Sequence, residues 1–326
     1  MSLSSRTRVA VLRGGPSSEY DVSLKTGGHV LSLLREMPET YDPLDIFISK
    51  KGEWHRDGLA REPHEALRHS DVVWNALHGQ YGEDGQVQRV LEGLQIPFTG
   101  SGAFASALSM NKDMTKRLYR EHSLLTPEHE IINKNDFNDD QLIAIFRTYL
   151  HPVIVKPVSS GSSIGVHLAN SFNELKEAIK ATFKHSKRVL VEEFVRGKEA
   201  TCGVVDNFRG EKHYALLPVE IRRLNNQALF DYDAKYSGKT EEICPAHFNP
   251  NEIKEIEEMA KKAHQALGLR HYSRSDFILT PKGKIYILET NSLPGFTQES
   301  LLPKSLHAVG FRPHDFVDHI IKIALK

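Results

Sequence analysis

Strand, loop and helix patterns alternate over the first hundred residues, and an open α/β sheet is the architecture that accommodates them. Residues 8–12 are an apolar run followed by Gly14-Gly15-Pro16-Ser17-Ser18. Val22, Val30, Leu31 and Leu34 then predict a helix over residues 22–34. Residues 44–48 and 71–77 predict two further strands, and Val72, Val73 and Trp74 follow one another without a polar break. Unbroken runs of this kind suit parallel strands covered on both faces. Val87, Val90, Leu91 and Leu94 predict a helix over residues 84–94, and residues 96–100 read as a short strand ending in a turn. In such a sheet, ligands bind at the carboxyl ends of the strands.

The remaining chain changes character. Residues 103–120 predict one helix, and Pro-Val-Ile-Val-Lys-Pro at 152–157 a compact β run. Ser159 to Ser163 form a Gly/Ser loop, residues 164–168 alternate again, and Ser171 with Glu174 predicts a capping box opening a helix. Residues 189–193, 200–205 and 214–221 predict strands, and the aperiodic polar segment 222–242 a functional lid. A helix over 252–267 stops at Gly268. Residues 273–279 and 285–288 flank the hairpin turn Pro281-Lys282-Gly283. The last helix carries Phe316, Val317, Ile320, Ile321 and Ala324 on one face.

Composition bounds the function classes. A chain of 326 residues holds two domains or three small ones at roughly 150 residues each. Its 42 Lys+Arg balance 42 Asp+Glu, which argues against nucleic-acid binding through bulk charge. Cys202 and Cys244 form no CxxC pair, so a reducing compartment is expected. The apolar run at 9–12 is too short for a signal-peptide core, and none approaches the roughly 20 residues that cross a bilayer. The expectation is a cytoplasmic protein with no membrane partner.

Several residues invite chemistry. Glu19 follows the first strand's turn; a helix-start acid favoured by the dipole is the preferred reading, and a carboxylate for a substrate ammonium the sharper one. Lys156 ends an apolar strand before the Gly/Ser loop, where it either snorkels to solvent or meets polyphosphate; both readings stand. Arg274 and Asp276 lie two apart on one strand, as do Glu289 and Asn291 on the next. The hairpin brings Asp276, Glu289 and Asn291 into an all-oxygen cluster that suits Mg²⁺ beside phosphates. An Arg274–Glu289 cross-strand ion pair competes with that reading. The run from Asn291 into Ser292-Leu293-Pro294-Gly295 favours the metal. His78, before Gly79, is a polar strand-end residue or a site residue.

Taken in order, these segments resemble the D-alanine–D-alanine ligase family of the ATP-grasp superfamily over nearly the whole chain. The resemblance rests on Leu12-Arg13-Gly14-Gly15-Pro16-Ser17-Ser18-Glu19, on Leu77-His78-Gly79-Gln80-Tyr81-Gly82-Glu83 and on Met110-Asn111-Lys112. It continues through Val155-Lys156-Pro157 with Gly161-Ser162-Ser163, and through Phe230-Asp231-Tyr232-Asp233-Ala234-Lys235-Tyr236. Ser273-Arg274-Ser275-Asp276-Phe277, Leu288-Glu289-Thr290-Asn291-Ser292-Leu293-Pro294-Gly295 and Ser300-Leu301-Leu302-Pro303 close the set.

The resemblance implies a three-domain α/β fold: an N-terminal substrate-binding domain at 1–101, a central ATP-grasp domain at 102–187 and a C-terminal catalytic domain at 188–326. It implies ligation of two D-alanines through an acyl phosphate, with ATP and two Mg²⁺ or Mn²⁺ ions, in a homodimer. Lys112, Lys156 and Lys235 would meet phosphates, Glu192, Glu193, Phe194 and Val195 the adenine, and Glu199 the ribose. Asp276, Glu289 and Asn291 would hold metal. Glu19 would take the first D-alanine's ammonium, with His78 also in the substrate site. Arg274 and Gly295 would polarise the reacting carboxyl, and Ser300 and Leu301 would fix the second carboxylate. Ser162 and Tyr236 would bridge two loops over the site.

The chain departs from the family pattern at Ser160 (often Glu), Tyr20 (often Arg or His) and Asn111 (often Asp). Retention of Tyr236 favours an amine nucleophile over a hydroxyl one. The alternatives are a ligase using D-lactate or D-serine as second substrate, and a non-catalytic ATP-binding protein.

Overall fold

A computed structural model describes residues 6–159, 161, 165–223 and 240–326, with nothing described for the Arg223 side chain. The N-terminal sheet has the order β4-β3-β2-β1-β5, formed by β1 (Thr7–Gly14), β2 (Tyr41–Ile48), β3 (Trp54–Arg56), β4 (Leu59–Arg61) and β5 (Val72–Asn75). Strand β1 runs parallel to both β2 and β5. Val9, Ala10, Val11 and Leu12 are all fully buried, as an unbroken apolar strand requires. The chain then turns at Gly14, whose φ of +93° only glycine adopts freely. Helix α1 (Tyr20–Arg35) starts where Ser23 Oγ takes the Gly14 N–H (2.8 Å) and donates to the Ala76 carbonyl (2.8 Å). That clasp holds Glu19 at the carboxyl ends of β1 and β5.

Two antiparallel sheets follow. One has the order β6-β9-β7-β8, from β6 (His129–Asn133), β7 (Val153–Pro157), β8 (His167–Ala169) and β9 (Arg188–Glu193). Helices α6 (Asp139–Thr148) and α7 (Phe172–Thr182) cover it through Leu142, Ile145, Leu175 and Ile179. The other has the order β13-β12-β10-β14-β15, with β11 added on β10. Its strands are β10 (Lys198–Phe208), β11 (Glu211–Ala215), β12 (Val219–Arg223), β13 (Thr240–Ile243), β14 (Tyr272–Leu279) and β15 (Ile285–Asn291). Helix α8 (Pro250–Ala266), fixed by a full capping box at Asn249 and Glu252, covers that sheet.

Helices α9 (Leu301–Ala308) and α10 (Pro313–Ala324) return to the N-terminal sheet. There Trp74 of β5 meets Phe316 of α10 edge-on at 6.4 Å, and Phe296 lies 4.9 Å from Phe316. The first and last segments therefore share one core, which also contains Val9, Val11 and Tyr272. No helix among the described residues is long and apolar enough to cross a membrane.

Several expectations change. The helix expected over 103–120 is two, α4 (Ala103–Met110) and α5 (Lys112–Glu121), because Asn111 is extended and caps α5 by accepting from the Met114 N–H. The expected strand at 96–100 shrinks to a single bridge, Val73 with Phe98. Only half of the capping box at Ser171 forms, since Glu174 turns to Asn170 instead. The β run at 214–221 is split between β11 and β12. A boundary at 187/188 would cut the four-stranded sheet, because β9 pairs with both β6 and β7 and carries that sheet through Glu193. Strands β3, β4 and β6, the short α2 (Pro63–Ala66), α6 and α9 had no sequence expectation; of the lid expected at 222–242, the ends belong to β12 and β13 and 224–239 lie outside the described residues, while α3 (Gln86–Gly93) matches the helix expected at 84–94.

Phe316 is fully buried where the two ends of the chain meet. Phe316→Ala is expected to cost about 3–5 kcal/mol, read as a lowered urea midpoint. A variant as stable as the parent would show that this aromatic core does not tie the ends together.

Candidate active site

The two antiparallel sheets and the end of the N-terminal sheet enclose a cavity of about 1530 Å³. Its lining includes Glu19, His78, Lys112, Lys156, Arg274, Asp276, Glu289 and Asn291. Gly295, Ser300 and Leu301 line it as well, as do Glu192, Glu193, Phe194, Val195 and Glu199. Residues from six separated stretches of sequence, around 19, 78, 112, 156, 192–199 and 274–301, thus meet in one place. Ser160, Ser162, Lys235 and Tyr236 lie outside the described residues.

The lysines set the electrostatics. Lys156 does not snorkel to solvent: it is buried on β7 and its Nζ donates to Glu192 Oε1 on the neighbouring strand. Lys116, on α5, is fully buried and lies 2.9 Å from Glu192 Oε2. It also donates to Thr126 Oγ1 (2.9 Å) and the Pro127 carbonyl (3.0 Å). Burial alone would raise the Glu192 carboxyl, but Lys116 and Lys156 outweigh it and hold it down at about 2. Burial in turn lowers the Lys116 ammonium to about 8, against the upward pull of Glu192. The Glu192 side chain is thus engaged by two cations. Lys112 opens α5, where its N–H donates to the Val158 carbonyl (2.9 Å) and its Nζ lies 3.1 Å from Glu289 Oε2.

The hairpin delivers the acidic cluster as its spacing implies. Asp276 stands opposite Glu289, and Arg274 opposite Asn291, with a bulge just after Asp276. The ion pair is not the cross-strand one: Arg274 forks onto Asp276 through Nε (3.0 Å) and Nη2 (3.2 Å). Burial opposes the Arg274 charge, yet Asp276 and Glu289 raise its pKa above the ordinary arginine value. Asp276 also accepts from Thr201 Oγ1 (2.7 Å), and Asn291 Oδ1 accepts from the Leu293 N–H (2.7 Å). Two carboxylates and an amide oxygen are hard donors, and with lysines lining the same cavity from the other sheet the set fits a divalent cation held beside an anion.

At the opposite end Glu19 is buried close to two backbones. A Cβ on Gly79 would fall 2.6 Å from Glu19 Oε2, and one on Gly161 3.3 Å from it. His78 is fixed between Thr26 Oγ1 (2.9 Å) and Glu83 Oε1 (3.3 Å), and Glu83 also accepts the Gly79 N–H (3.1 Å). Burial raises the Glu83 carboxyl despite the opposing effect of His78. Ser300 stands at the head of α9 on the cavity side, but its side chain makes no capping bond to the helix; its Oγ takes the Thr297 N–H (3.1 Å) instead. Gly295 packs so closely that a Cβ would sit 3.1 Å from that Oγ. At the departures, Tyr20 lies under Lys50 Nζ at 4.7 Å, and Asn111 is the α5 cap.

Sequence reasoning missed Lys116 and Glu83. Lys116 carried one usable signal, its position four residues after Lys112 on the same helix face.

Nucleotide-type lysines and a hard-oxygen cluster in a cleft between two antiparallel sheets are the architecture of an ATP-grasp ligase. Family models for the D-ala D-ala ligase N-terminus and C-terminus match residues 55–101 and 118–322. A D-alanine–D-alanine ligase of Geobacter sulfurreducens is 37% identical over 97% of this chain and 93% of its own. The D-alanyl-alanine synthetase A of Vibrio cholerae superposes with a TM-score of 0.85 at 27% identity, covering 98% of this chain and 99% of that one. The VanG D-Ala:D-Ser ligase of Enterococcus faecalis does so at 0.84 and 29%, with 98% and 99% covered. The chain belongs to the D-alanine–D-alanine ligase family.

Glu192→Gln leaves two buried ammonium groups facing a neutral amide, and is expected to cost about 3–5 kcal/mol at neutral pH. The Glu192 carboxyl titrates lower in the folded chain, about 2 against an ordinary 4.5. Its contribution is therefore complete above pH 4.5 and is lost as pH falls toward 2. Urea midpoints across that range should show a shallower acid limb in the variant; identical limbs would exclude Glu192 as its source.

Proposed function

We propose that this chain joins two D-alanines into D-alanyl-D-alanine at the expense of ATP, as a step in peptidoglycan precursor synthesis. The observation that carries the reading is the convergence of Lys112, Lys156, Arg274, Asp276 and Glu289 on one cavity with Glu19 at its far end. A carboxylate resists attack by an amine because it is anionic and resonance-stabilised. Transfer of the γ-phosphoryl group onto the first D-alanine's carboxylate gives an acyl phosphate and ADP. The deprotonated amine of the second D-alanine then adds to the carbonyl carbon, and the tetrahedral adduct expels phosphate.

Each residue has a part in that sequence. Lys112 and Lys156, with Lys235, neutralise phosphate oxygens. Glu193, Phe194 and Val195, with the backbone of Glu192, border the adenine, and Glu199 takes the ribose. Asp276, Glu289 and Asn291 would hold Mg²⁺ or Mn²⁺, which supplies charge neutralisation and alignment of the phosphoryl group. Glu19 binds the first ammonium, with His78 orienting the loop beside it. Arg274 and the Gly295 N–H stabilise the developing oxyanion. Ser300 and Leu301, at the start of α9, bind the second carboxylate. Ser162 and Tyr236 would close loops over the site and exclude water from the acyl phosphate.

Binding then proceeds by exchange of partners. Lys112 would trade Glu289 for phosphate and Arg274 would trade Asp276 for the acyl oxygen, leaving both carboxylates able to hold divalent ions. We further read the protein as a cytoplasmic homodimer with residues 1–101 as its substrate-binding domain. D-serine as second substrate is the reading that the likeness to VanG favours next.

The test is phosphate release from ATP and Mg²⁺ with D-alanine alone, or with D-serine, D-lactate or L-alanine added, and products identified by mass. D-alanyl-D-alanine is the expected product, and kcat should fall roughly 10²–10³-fold in Arg274→Ala. A mixed D-alanyl-D-serine or depsipeptide as main product would reassign the second subsite. ATP binding without release under any condition would overturn the enzyme reading.

A further inference from the structure

A second cluster of ligating groups lies away from the cavity. Asp206 of β10 stands opposite His213 of β11 in the antiparallel register, and His264 of α8 reaches the same point. Among the described residues this is the one place where three His, Cys, Asp or Glu side chains bring ligand atoms within 4.8 Å of one another. None of the three lines the nucleotide cavity.

The geometry is that of a site with one group unsatisfied. His264 is fully buried and its Nδ1 is engaged by Ser273 Oγ at 2.7 Å. That leaves Nε2 aimed into the cluster, where it makes no hydrogen bond although Asp206 Oδ1 is 3.2 Å away. A buried ring nitrogen in this condition costs free energy unless it is protonated onto Asp206 or a cation fills the gap. His213 Nδ1 lies 2.7 Å from the same Asp206 oxygen, while Asp206 Oδ2 is held by the His271 N–H at 2.6 Å. The two contacts from Ser273 and His271 are what outer-shell partners do for metal ligands: they orient the ring and the carboxylate.

We propose that Asp206, His213 and His264 form a structural divalent-metal site, selective for Zn²⁺ over Mg²⁺. Two imidazole nitrogens and one carboxylate oxygen are a borderline donor set, unlike the all-oxygen set at Asp276 and Glu289. Bonds of about 2.0–2.1 Å around a tetrahedral ion place ligand atoms roughly 3.3 Å apart. The Asp206–His264 spacing already meets that, and His213 would open by about half an ångström from its present contact. The His213 side chain keeps 18% of its surface exposed, which gives water access to the fourth position. Such an ion would pin α8 to the β10–β11 hairpin.

The test uses the full-length chain, stripped with chelator and returned to excess Mg²⁺, and titrates Zn²⁺ against a chromophoric competitor. Uptake of about one Zn²⁺ per chain is expected, weakened roughly tenfold or more in His213→Ala and unchanged in Asp276→Asn. Co²⁺ in place of Zn²⁺ should give the intense visible bands of four-coordination. No stoichiometric uptake, or equal uptake by folded His213→Ala, would overturn the proposal. Should that variant misfold, His213→Gln and the wild-type Co²⁺ spectrum decide, since weak six-coordinate bands also overturn it. The outcome is independent of ligase turnover, so failure here leaves the proposed reaction standing.

Discussion

Two lysines and one glutamate, buried together, are the constraint to which the cleft is built. Lys156 and Lys116 approach opposite oxygens of Glu192, and all three side chains are almost wholly removed from water. A single buried ammonium would be too costly to keep charged; the shared carboxylate makes a pair of them tolerable. The arrangement fixes α5 against β7 and β9. It thereby brings Lys112, at the head of that helix, to Glu289 on the other sheet. A cation row on one wall faces a carboxylate row on the opposite one.

The N-terminal sheet serves the same site by different physics. Its contribution is positional: a strand buried on both faces, a glycine turn, and a helix start clasped by Ser23. Glu19 is held there with little side-chain freedom because Gly79 and Gly161 leave no room around it. A Cβ at Gly79 would occupy the space of the carboxylate itself. The return of α10 to this sheet through Trp74, Phe296 and Phe316 then sets where Gly295 and Ser300 stand relative to Glu19.

Much of this was legible in the sequence where local rules decide the structure. The strand–turn–helix at the start and the Arg274/Asp276 against Glu289/Asn291 pairing follow from period and turn chemistry, and both are found. What was not legible depends on contacts between distant segments. Lys116 reads as an ordinary solvated helix residue, and only the fold buries it beside Glu192. The break at Asn111 has no proline or glycine to announce it; it comes from the cap and from the bridge between Asn111 and Ser159. The Arg274–Glu289 pair expected as the alternative gives way to a fork within one strand, because Arg274 and Asp276 share a face two residues apart while Glu289 stands opposite Asp276 and not opposite Arg274.

The pairing of Lys112, Lys156 and Arg274 with carboxylates also bears on how such a site can bind so charged a ligand. A nucleoside triphosphate with its divalent ions carries little net charge, so a site with a large excess of either sign would hold one component and repel the other. Here the described charges meet as Lys112 with Glu289, Arg274 with Asp276, and Lys156 with Lys116 on Glu192. The first two pairs line the cavity and each keeps part of its surface open to it. The third is buried and keeps its carboxylate, while Lys156, which lines the cavity, has further N–H donors to offer. On the proposed reading, the same cleft therefore contains pairs placed to exchange partners with the ligand and a group of three buried charges that forms the frame beside them.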